Sequence, residues 1–505
     1  MKILNGAQLQ LIDQLTIQRQ GISSWELMER AALKAVEAME SDFGEGLQEL
    51  PIVIICGKGN NGGDGLAIGR ILGEQGYTVE VKILDSENYS LDNLINQQKL
   101  EAKEMFKLED DLKLPASGLL IDCLLGSGLH SELGISWVNI IQQINGFGGP
   151  VVSIDMPSGL LTDRLVDSGA PMVHAAKVYT FQVPKLNLLL PAYGEAVRGF
   201  TVLDIGLDTQ ALADAEGAYH YTVDEDVAGL LRPRSRFSHK GTFGHACLIG
   251  GSEGKMGAVV MSTRAALRSG CGLLTVVVPQ IGHPILQSTV PEAMLSVDSG
   301  KLQLEEFANH GNFQAFGVGI GMGKGESTVR GFSKWLQGLK SQARIILDAD
   351  ALNVLSEHTD LLKFLPRQTI LTPHPKELQR LIGEWSDDYE KIEMAKTFAR
   401  AHGVILLIKG AHTAIIDEDG SCYFNSTGNP GMATGGSGDV LTGIICSLLA
   451  QGYIPLEAVK FGVFIHGLAA DLAKEKFGEI SMLPTDLIDF LPMAFEKLKP
   501  RRYFA

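Results

Sequence analysis

The sequence predicts an α/β protein made of two successive units, each a mainly parallel sheet covered on both faces. Three observations carry this. Apolar, strand-like runs alternate with helical stretches, the pattern of βαβ units. Several of those runs end directly in glycine-rich loops, and 58 of the 505 residues are glycine. The alternation fades over residues 208–221 and restarts at Thr222, which divides the chain into domains over 1–215 and 222–505.

Residues 7–40 read as two helices broken near 21–24, with Ser24 capping the second and Glu26 in its first turn. The apolar run IVIIC before Gly57 predicts a strand, followed by a helix over 66–75. Another strand is expected over 78–84 and a polar helix over about 91–108. The runs LLIDC after Gly118 and VVSID after Pro150 predict two more strands. Short strands near 178–182 and 200–204 complete the first unit. In the second unit a helix over 223–231 precedes the basic segment RPRSRFSHKG. Strands then read at 245–250, 273–278, 315–318, 344–348, 368–371, 404–408 and 413–417. A small-residue helix is expected over 257–269, and two further helices over 440–451 and 455–474.

Composition bounds the function. The formal charge is −16 and no Lys/Arg stripe exists, which argues against wrapping nucleic acid. The acidic stretch 384–390 reads as a solvated loop or helix start. Six cysteines are scattered with no CxxC pair, so a reducing compartment and no structural zinc are expected. No run approaches ~18 apolar residues and the N-terminus lacks a secretory core, so a cytoplasmic protein without a membrane partner is expected.

Ligands of a parallel sheet bind at the carboxyl ends of its strands. Three loops of the first unit lie there. GKGNNGGDG, residues 57–65, follows a strand and opens a helix, so its N–H groups suit an anion and its side-chain oxygens a cation. An ordinary tight turn needs fewer glycines. Asp122 lies inside an apolar strand before LLGSGL, where an unpaired carboxylate is costly. Asp155 ends another apolar run in IDMPSGL, with Ser158 close behind. Two carboxylates at one sheet edge offer a cation ligand and a general base, or simply helix caps.

These loops resemble those of the NAD(P)HX epimerases, which act on hydrated NADH and NADPH, over residues 5–210. The resemblance implies a Rossmann-like three-layer domain that exchanges the R and S forms at C6 of the hydrated nicotinamide ring. It implies K+ ligands at Asn61, Asp122 and Ser158, and a catalytic, substrate-contacting Asp155. Further substrate contacts are implied at Asn60, Asn61, Gly62, Gly63 and Asp64, and at Gly126, Ser127, Gly128, Leu129, His130, Ser131 and Glu132. Ala176 stands where the family usually has aspartate.

In the second half the strongest signal is NPGMATGGSGDVLTG, residues 429–443. Glycines and Ser437 precede Gly438 and Asp439, and an apolar helix follows. N–H donors at a helix start stabilise a phosphoryl group in transfer, and Asp439 can take a proton from a hydroxyl. A first-turn or N-cap aspartate is compatible with that role but does not explain the glycines. His466 lies on an apolar helix and reads as a core histidine.

This segment resembles the anion hole and catalytic aspartate of ribokinase-like kinases. HKGTFG at 239–244, GGS at 250–252, DADALN at 348–353, LTPHP at 371–375 and Lys409-Gly410 extend the resemblance to the ADP/ATP-dependent NAD(P)H-hydrate dehydratases over 225–500. It implies a ribokinase-like α/β/α domain, with hydrate contacts at Ala258, Gly321, His374 and Asp439. It implies nucleotide contacts at Lys409, Gly410, Ala411, His412, Thr413 and Gly438, with Asp439 catalytic. ADP is the implied phosphoryl donor, with ATP an alternative, and Mg2+ the companion ion; Asp348 and Asp350 are candidate indirect ligands. Lys255, Ile320 and Lys376 depart from the family's usual residues without removing an essential charge. The partners expected are the two hydrates and ADP, in a homo-oligomer. The rival readings are a vitamin-precursor or sugar kinase on the same fold, and a non-catalytic nucleotide-binding regulator.

Overall fold

The computed structural model describes residues 1–499 apart from 101, 168 and 308–310. The chain forms two compact units, one over Lys2–Tyr219 and one that begins at His220. Among the described residues no helix is long and apolar enough to cross a membrane.

The first unit holds seven strands: β1 (Ile52–Cys56), β2 (Val79–Leu84), β3 (Glu104–Phe106), β4 (Leu119–Cys123), β5 (Val151–Ile154), β6 (Lys177–Phe181) and β7 (Phe200–Leu203). They pair in the order β3-β2-β1-β4-β5-β6-β7, each neighbouring pair being parallel. Alternate side chains of a strand face opposite sides of the sheet, and β1 shows how both sides are covered. Ile52 and Ile54 pack with Ala32, Val36 and Met39 of helix Ser24–Phe43. Val53 and Ile55 pack with Ile140, Ile141 and Ile144 of helix Val138–Asn145.

The second unit contains β8 (Tyr219–Thr222), β9 (His245–Gly250), β10 (Leu273–Val278), β11 (Met294–Val297), β12 (Ala315–Ile320), β13 (Ile345–Leu347), β14 (Thr369–Leu371), β15 (Val404–Ile408), β16 (Ala414–Ile416) and β17 (Cys422–Asn425). Their order is β11-β10-β9-β12-β13-β14-β15-β16-β17-β8. The sheet is parallel from β11 to β15, then turns antiparallel through β16 and β17. Helix Ser437–Ala450 lies across its centre and against helix Met256–Arg268. A Cβ on Gly443 would sit 2.2 Å from Ser262 O, so glycine sets how closely these helices approach.

Several expectations are corrected. Ser23, not Ser24, caps the second helix, because its side chain and that of Glu26 close a reciprocal capping box. The helix after β1 spans Asn60–Glu74, six residues earlier than expected, since the glycines of the loop already carry helical hydrogen bonds. The helix expected over 91–108 ends at Lys99 and gives way to β3; residue 101 of that span lies outside the described residues. The helix expected over 223–231 is only Asp224–Ala228. A last helix, Pro484–Lys497, starts on a proline at its first position, and a break at Gly478 interrupts Pro455–Ser481 before it. The acidic stretch 384–390 is a helix start, with Asp387 as N-cap of Asp388–His402. The six cysteines are all buried and unpaired as disulfides. The end of the assigned second domain, 500–505, lies outside the described residues.

Candidate active sites

In the first unit β1 ends at Cys56 and the chain folds tightly against the end of β4. A Cβ on Gly57 would meet Leu124 O at 1.8 Å, and one on Gly62 would meet Gly57 O at 1.8 Å. Only glycine allows this approach, which sets the N-terminus of helix Asn60–Glu74 at the sheet edge. Asn60 is exposed there. Asn61 is buried, and neither its Oδ1 nor its Nδ2 has a hydrogen-bond partner. A buried, unsatisfied amide calls for an explanation, and a bound ion supplies one.

Asp122 and Ser158 meet directly. Ser158 donates from Oγ to Asp122 Oδ1 at 2.6 Å and from its backbone N to Oδ2 at 2.9 Å, and Ser153 Oγ donates to Oδ2 at 2.7 Å. Burial nevertheless raises the pKa of Asp122 against these bonds.

Asp155 sits in the left-handed region at φ 66°, unusual for a non-glycine residue and a mark of functional sites. Its Oδ1 accepts from Lys185 Nζ at 2.6 Å and its Oδ2 from Ser127 N at 2.8 Å. Burial would raise its pKa, but the charge and hydrogen bond of Lys185, with Ser127, hold it below the usual carboxylate value. Gly126 runs between Asn61 and Asp155: a Cβ there would lie 3.0 Å from Asp155 Oδ2 and 3.1 Å from Asn61 Cγ.

Thus Asn61, Gly126, Ser127 and Asp155 come together, beside Asp122 and Ser158. Among the described residues no hydrogen bond joins the outer part of the second loop to Asp155. Gly128, His130, Ser131 and Glu132 are exposed, Leu129 is half-buried, and Glu132 Oε1 accepts from Asp167 N at 2.7 Å. Gly62 and Gly63 are buried in the first turn of the helix, and Gly63 lies against Met28. Asp64 is buried on the same turns. Its pKa is pushed well up by burial and by Asp155, Asp13 and Asp92.

Two residues not expected from the sequence take part. Lys185, only 1% exposed, is the counter-charge of Asp155. Asp13, on helix Gly6–Gln20, has its pKa raised to about 7 by burial and by Asp155, with Lys185 opposing. A carboxylate held ionised beside one whose pKa is raised to about 7 is the usual signature of an acid–base site. Lys185 follows β6 within a Pro-Lys pair, a signal that was available; an aspartate on a polar helix offered none.

In the second unit helix Ser437–Ala450 begins after Gly436, whose φ is 106°. Asp439 is a first-turn residue, and its backbone O accepts from Ser262 Oγ at 2.5 Å. At the same mouth Lys409 Nζ donates to Asp348 Oδ1 at 2.6 Å, and Thr442 Oγ1 to Asp348 Oδ2 at 2.7 Å. A Cβ on Gly438 would lie 3.1 Å from Lys409 Nζ, which locates the ammonium at the helix start. The pKa of Asp439 is raised to about 7, first by burial, then by Asp348 and Asp350, with Lys409 opposing.

One rim holds Gly321 and Ala258. Gly321 has φ 56°, its O accepts from Ser252 Oγ at 2.8 Å, and a Cβ on it would lie 3.6 Å from that of Ala258. Lys255, on the same rim, reaches Asp350 Oδ2 at 3.2 Å. On the other side His374 is the N-cap of helix Pro375–Ile382. Its Nδ1 accepts from Lys376 N and Glu377 N, while the ring stays 47% exposed. Capping therefore orients the imidazole without hiding it. Gly410, Ala411 and His412 form a turn between β15 and β16, and Thr413 Oγ1 donates to Gly410 O at 3.1 Å. His412 is turned inward, 3.3 Å from Asn425 O, and burial lowers its pKa. Only Lys409 and Gly438 of the nucleotide set thus stand at the helix mouth. His466 is buried beneath Ser437, 3.4 Å from its Oγ, and burial pushes its pKa down to about 4, a neutral core histidine.

A family model described as YjeF-related protein N-terminus matches residues 24–187, and one described as NAD(P)H-hydrate dehydratase matches residues 246–493. A protein of Moorella thermoacetica named bifunctional NAD(P)H-hydrate repair enzyme is 34% identical, over 99% of this chain and 97% of its own. A protein of the same name from Coxiella burnetii is 35% identical over 96% and 97%. Among solved structures, a ribokinase-like superfamily protein from Enterococcus faecalis is 28% identical with a TM-score of 0.50, covering 56% of this chain and 98% of that one.

Proposed function

The chain belongs to the bifunctional NAD(P)H-hydrate repair enzymes, with both epimerase and dehydratase domains, and we propose that Asp155 and Asp439 carry its two chemistries. The observation that supports this best is the placement of Asp439. It is a partly buried carboxylate in the first turn of helix Ser437–Ala450, whose start lies beside Lys409 of the Lys409–Asp348 pair.

In the second domain, over 222–505, ADP is the phosphoryl donor. Asp439 accepts the proton of the C6 hydroxyl while that oxygen attacks the terminal phosphorus of ADP, and AMP leaves. The phosphate on C6 is then eliminated with the proton of C5, which restores the dihydronicotinamide. The N–H groups at 436–438 and Lys409 stabilise the phosphoryl charge in transfer. Gly410, Ala411, His412 and Thr413 form the turn against which the nucleotide lies, and Ala258, Gly321 and His374 frame the hydrate. Among the described residues no group of three or more His, Cys, Asp or Glu is placed to hold a metal. Asp348 and Asp350 are already engaged by lysines. This donor set fits Mg2+ carried in on the nucleotide phosphates, where it neutralises their charge.

In the first domain, over 1–215, the orphaned Asn61 amide beside the Asp122–Ser158 pair fits K+. The ion's chemistry is to fix an electropositive point at the sheet edge. Asp155, ionised, takes the proton of the C6 hydroxyl as the C6–N1 bond opens to an aldehyde, Asp13 gives a proton to the departing N1, and reclosure of N1 on the other face of the aldehyde returns both protons. Gly126 and Ser127 hold the substrate against Asp155, with Asn60 and Gly62, at the N-terminus of the helix, presenting backbone N–H groups.

The test of the dehydratase reading is a pH profile. Asp439 must be ionised to act, so kcat/KM for the S hydrate with saturating ADP and Mg2+ should rise through an acidic limb near pH 7. Conversion to Asn should abolish that limb in the residual rate. A profile that is flat from pH 5 to 8 in the wild type contradicts the base role.

A further inference from the structure

The strand order of the first unit reverses at β1, whose neighbours are β2 and β4. A dinucleotide crosses such a crevice, with its halves over the strand ends on either side and its diphosphate at the helix N-terminus between them. Asp155, assigned to the hydrated ring, and Asp122, assigned to the K+ beside it, lie at the ends of β5 and β4. The other side of the crevice, at the ends of β1, β2 and β3, opens into a cavity of about 710 Å³. It is lined among others by Lys58, Asp85, Lys107, Ile135 and Trp137.

These residues are of the kinds an adenosine needs. Ile135 is 91% exposed on a short 3-10 turn with Trp137, an apolar platform left open to solvent. Asp85 immediately follows β2, about 20 residues beyond the glycine-rich loop, where an acidic side chain meets a ribose diol in dinucleotide-binding folds. Lys58 lies on the segment that enters the helix Asn60–Glu74, between the cavity and the anion-binding N-terminus. Among the described residues none of Lys58, Asp85 and Lys107 has a side-chain ion pair.

We propose that this cavity binds the adenosine half of the hydrated dinucleotide. Trp137 and Ile135 lie against the adenine, Asp85 accepts from the ribose hydroxyls, and Lys58 faces the diphosphate. Asp85 is then the residue that selects against a 2′-phosphate, so the first domain prefers hydrated NADH to hydrated NADPH. This inference rests on the reading of the first domain as the epimerase.

The test compares R/S exchange in the full chain, without nucleotide, on hydrated NADH, hydrated NADPH and the hydrate of reduced nicotinamide mononucleotide, which lacks the adenosine half. Trp137→Ala should lower the ratio of kcat/KM for hydrated NADH over that for the mononucleotide hydrate by about 10-fold, the scale of one lost base–aromatic stack. Asp85→Asn should lower the preference for hydrated NADH over hydrated NADPH by a similar factor. Unchanged ratios in both variants overturn the proposal. A second measurement does not depend on turnover. The full chain is photolabelled with 8-azido-ADP-ribose without added ADP, and the labelled peptides of the two domains are mapped separately. Label on peptides spanning 84–86 or 135–139 supports the subsite, and label absent from both overturns it. Wild-type chain that is labelled there but exchanges no hydrate refutes the epimerase reading alone.

Discussion

Asp439→Asn is expected to lower ADP-driven recovery of reduced cofactor from the S hydrate by roughly 10²- to 10⁴-fold, the range for losing a general base. Asparagine keeps the size and much of the hydrogen bonding of the carboxylate but cannot accept the proton. Nucleotide binding should persist, because Lys409, Gly438 and the 410–413 turn are untouched. Stability should not fall. A carboxyl whose folded pKa is raised to about 7 loses stability as pH climbs from its unfolded value through that point. That cost is absent below the unfolded pKa and complete above about 7, so the neutral variant should unfold at a higher temperature than wild type at pH 8. Steady-state turnover, calorimetric ADP binding and thermal unfolding at pH 6 and 8 check the three parts. Near-normal turnover refutes the base role. Loss of ADP binding moves Asp439 into the nucleotide site instead.

The second large effect concerns Asp155. Asp155→Asn should slow R/S exchange by roughly 10²-fold or more while S-hydrate repair in the second domain continues. Asparagine tolerates the left-handed backbone at φ 66° and can still accept from Lys185. Asp155→Ala should lose exchange too and also destabilise the first unit. It strands the buried Lys185 ammonium, and breaking such a pair costs about 3–5 kcal/mol. Chiral separation of the hydrates over time, with thermal unfolding of both variants, distinguishes the roles. Unchanged exchange in Asp155→Asn sinks the assignment, whatever happens to Asp155→Ala.

The parts of the site that sequence revealed are those where local chemistry is extreme. A Cβ on Gly57 or Gly62 would stand 1.8 Å from a backbone oxygen, so no other residue serves, and the loop betrays itself. Asp122 and Asp155 stand out because charge inside an apolar run needs a partner. Asp439 stands out for the glycines before it. What stayed hidden depends on contacts made only by the fold. Lys185 is 30 residues from Asp155, and Lys409 is 61 from Asp348. Asp13 sits on a polar helix whose sequence gives no hint that one residue faces a buried carboxylate. The short strands β3, β8, β11 and β17 were missed because three or four mixed residues at or near a sheet edge carry little alternation. Glycine's low helix propensity likewise hid the true start of Asn60–Glu74, where the packing of Gly57 against Leu124 overrides it.

The central claim is that two sites act in sequence on one pool of hydrate. Its most direct test is the final yield of reduced cofactor from a mixture of R and S hydrates, with excess ADP and Mg2+, within the time that uncatalysed exchange is negligible. Wild type should recover the whole mixture, Asp155→Asn should stop at the S fraction, and Asp439→Asn should recover almost none while the epimers still equilibrate. Full recovery by Asp155→Asn, or a wild-type yield that halts at the S fraction, contradicts the account.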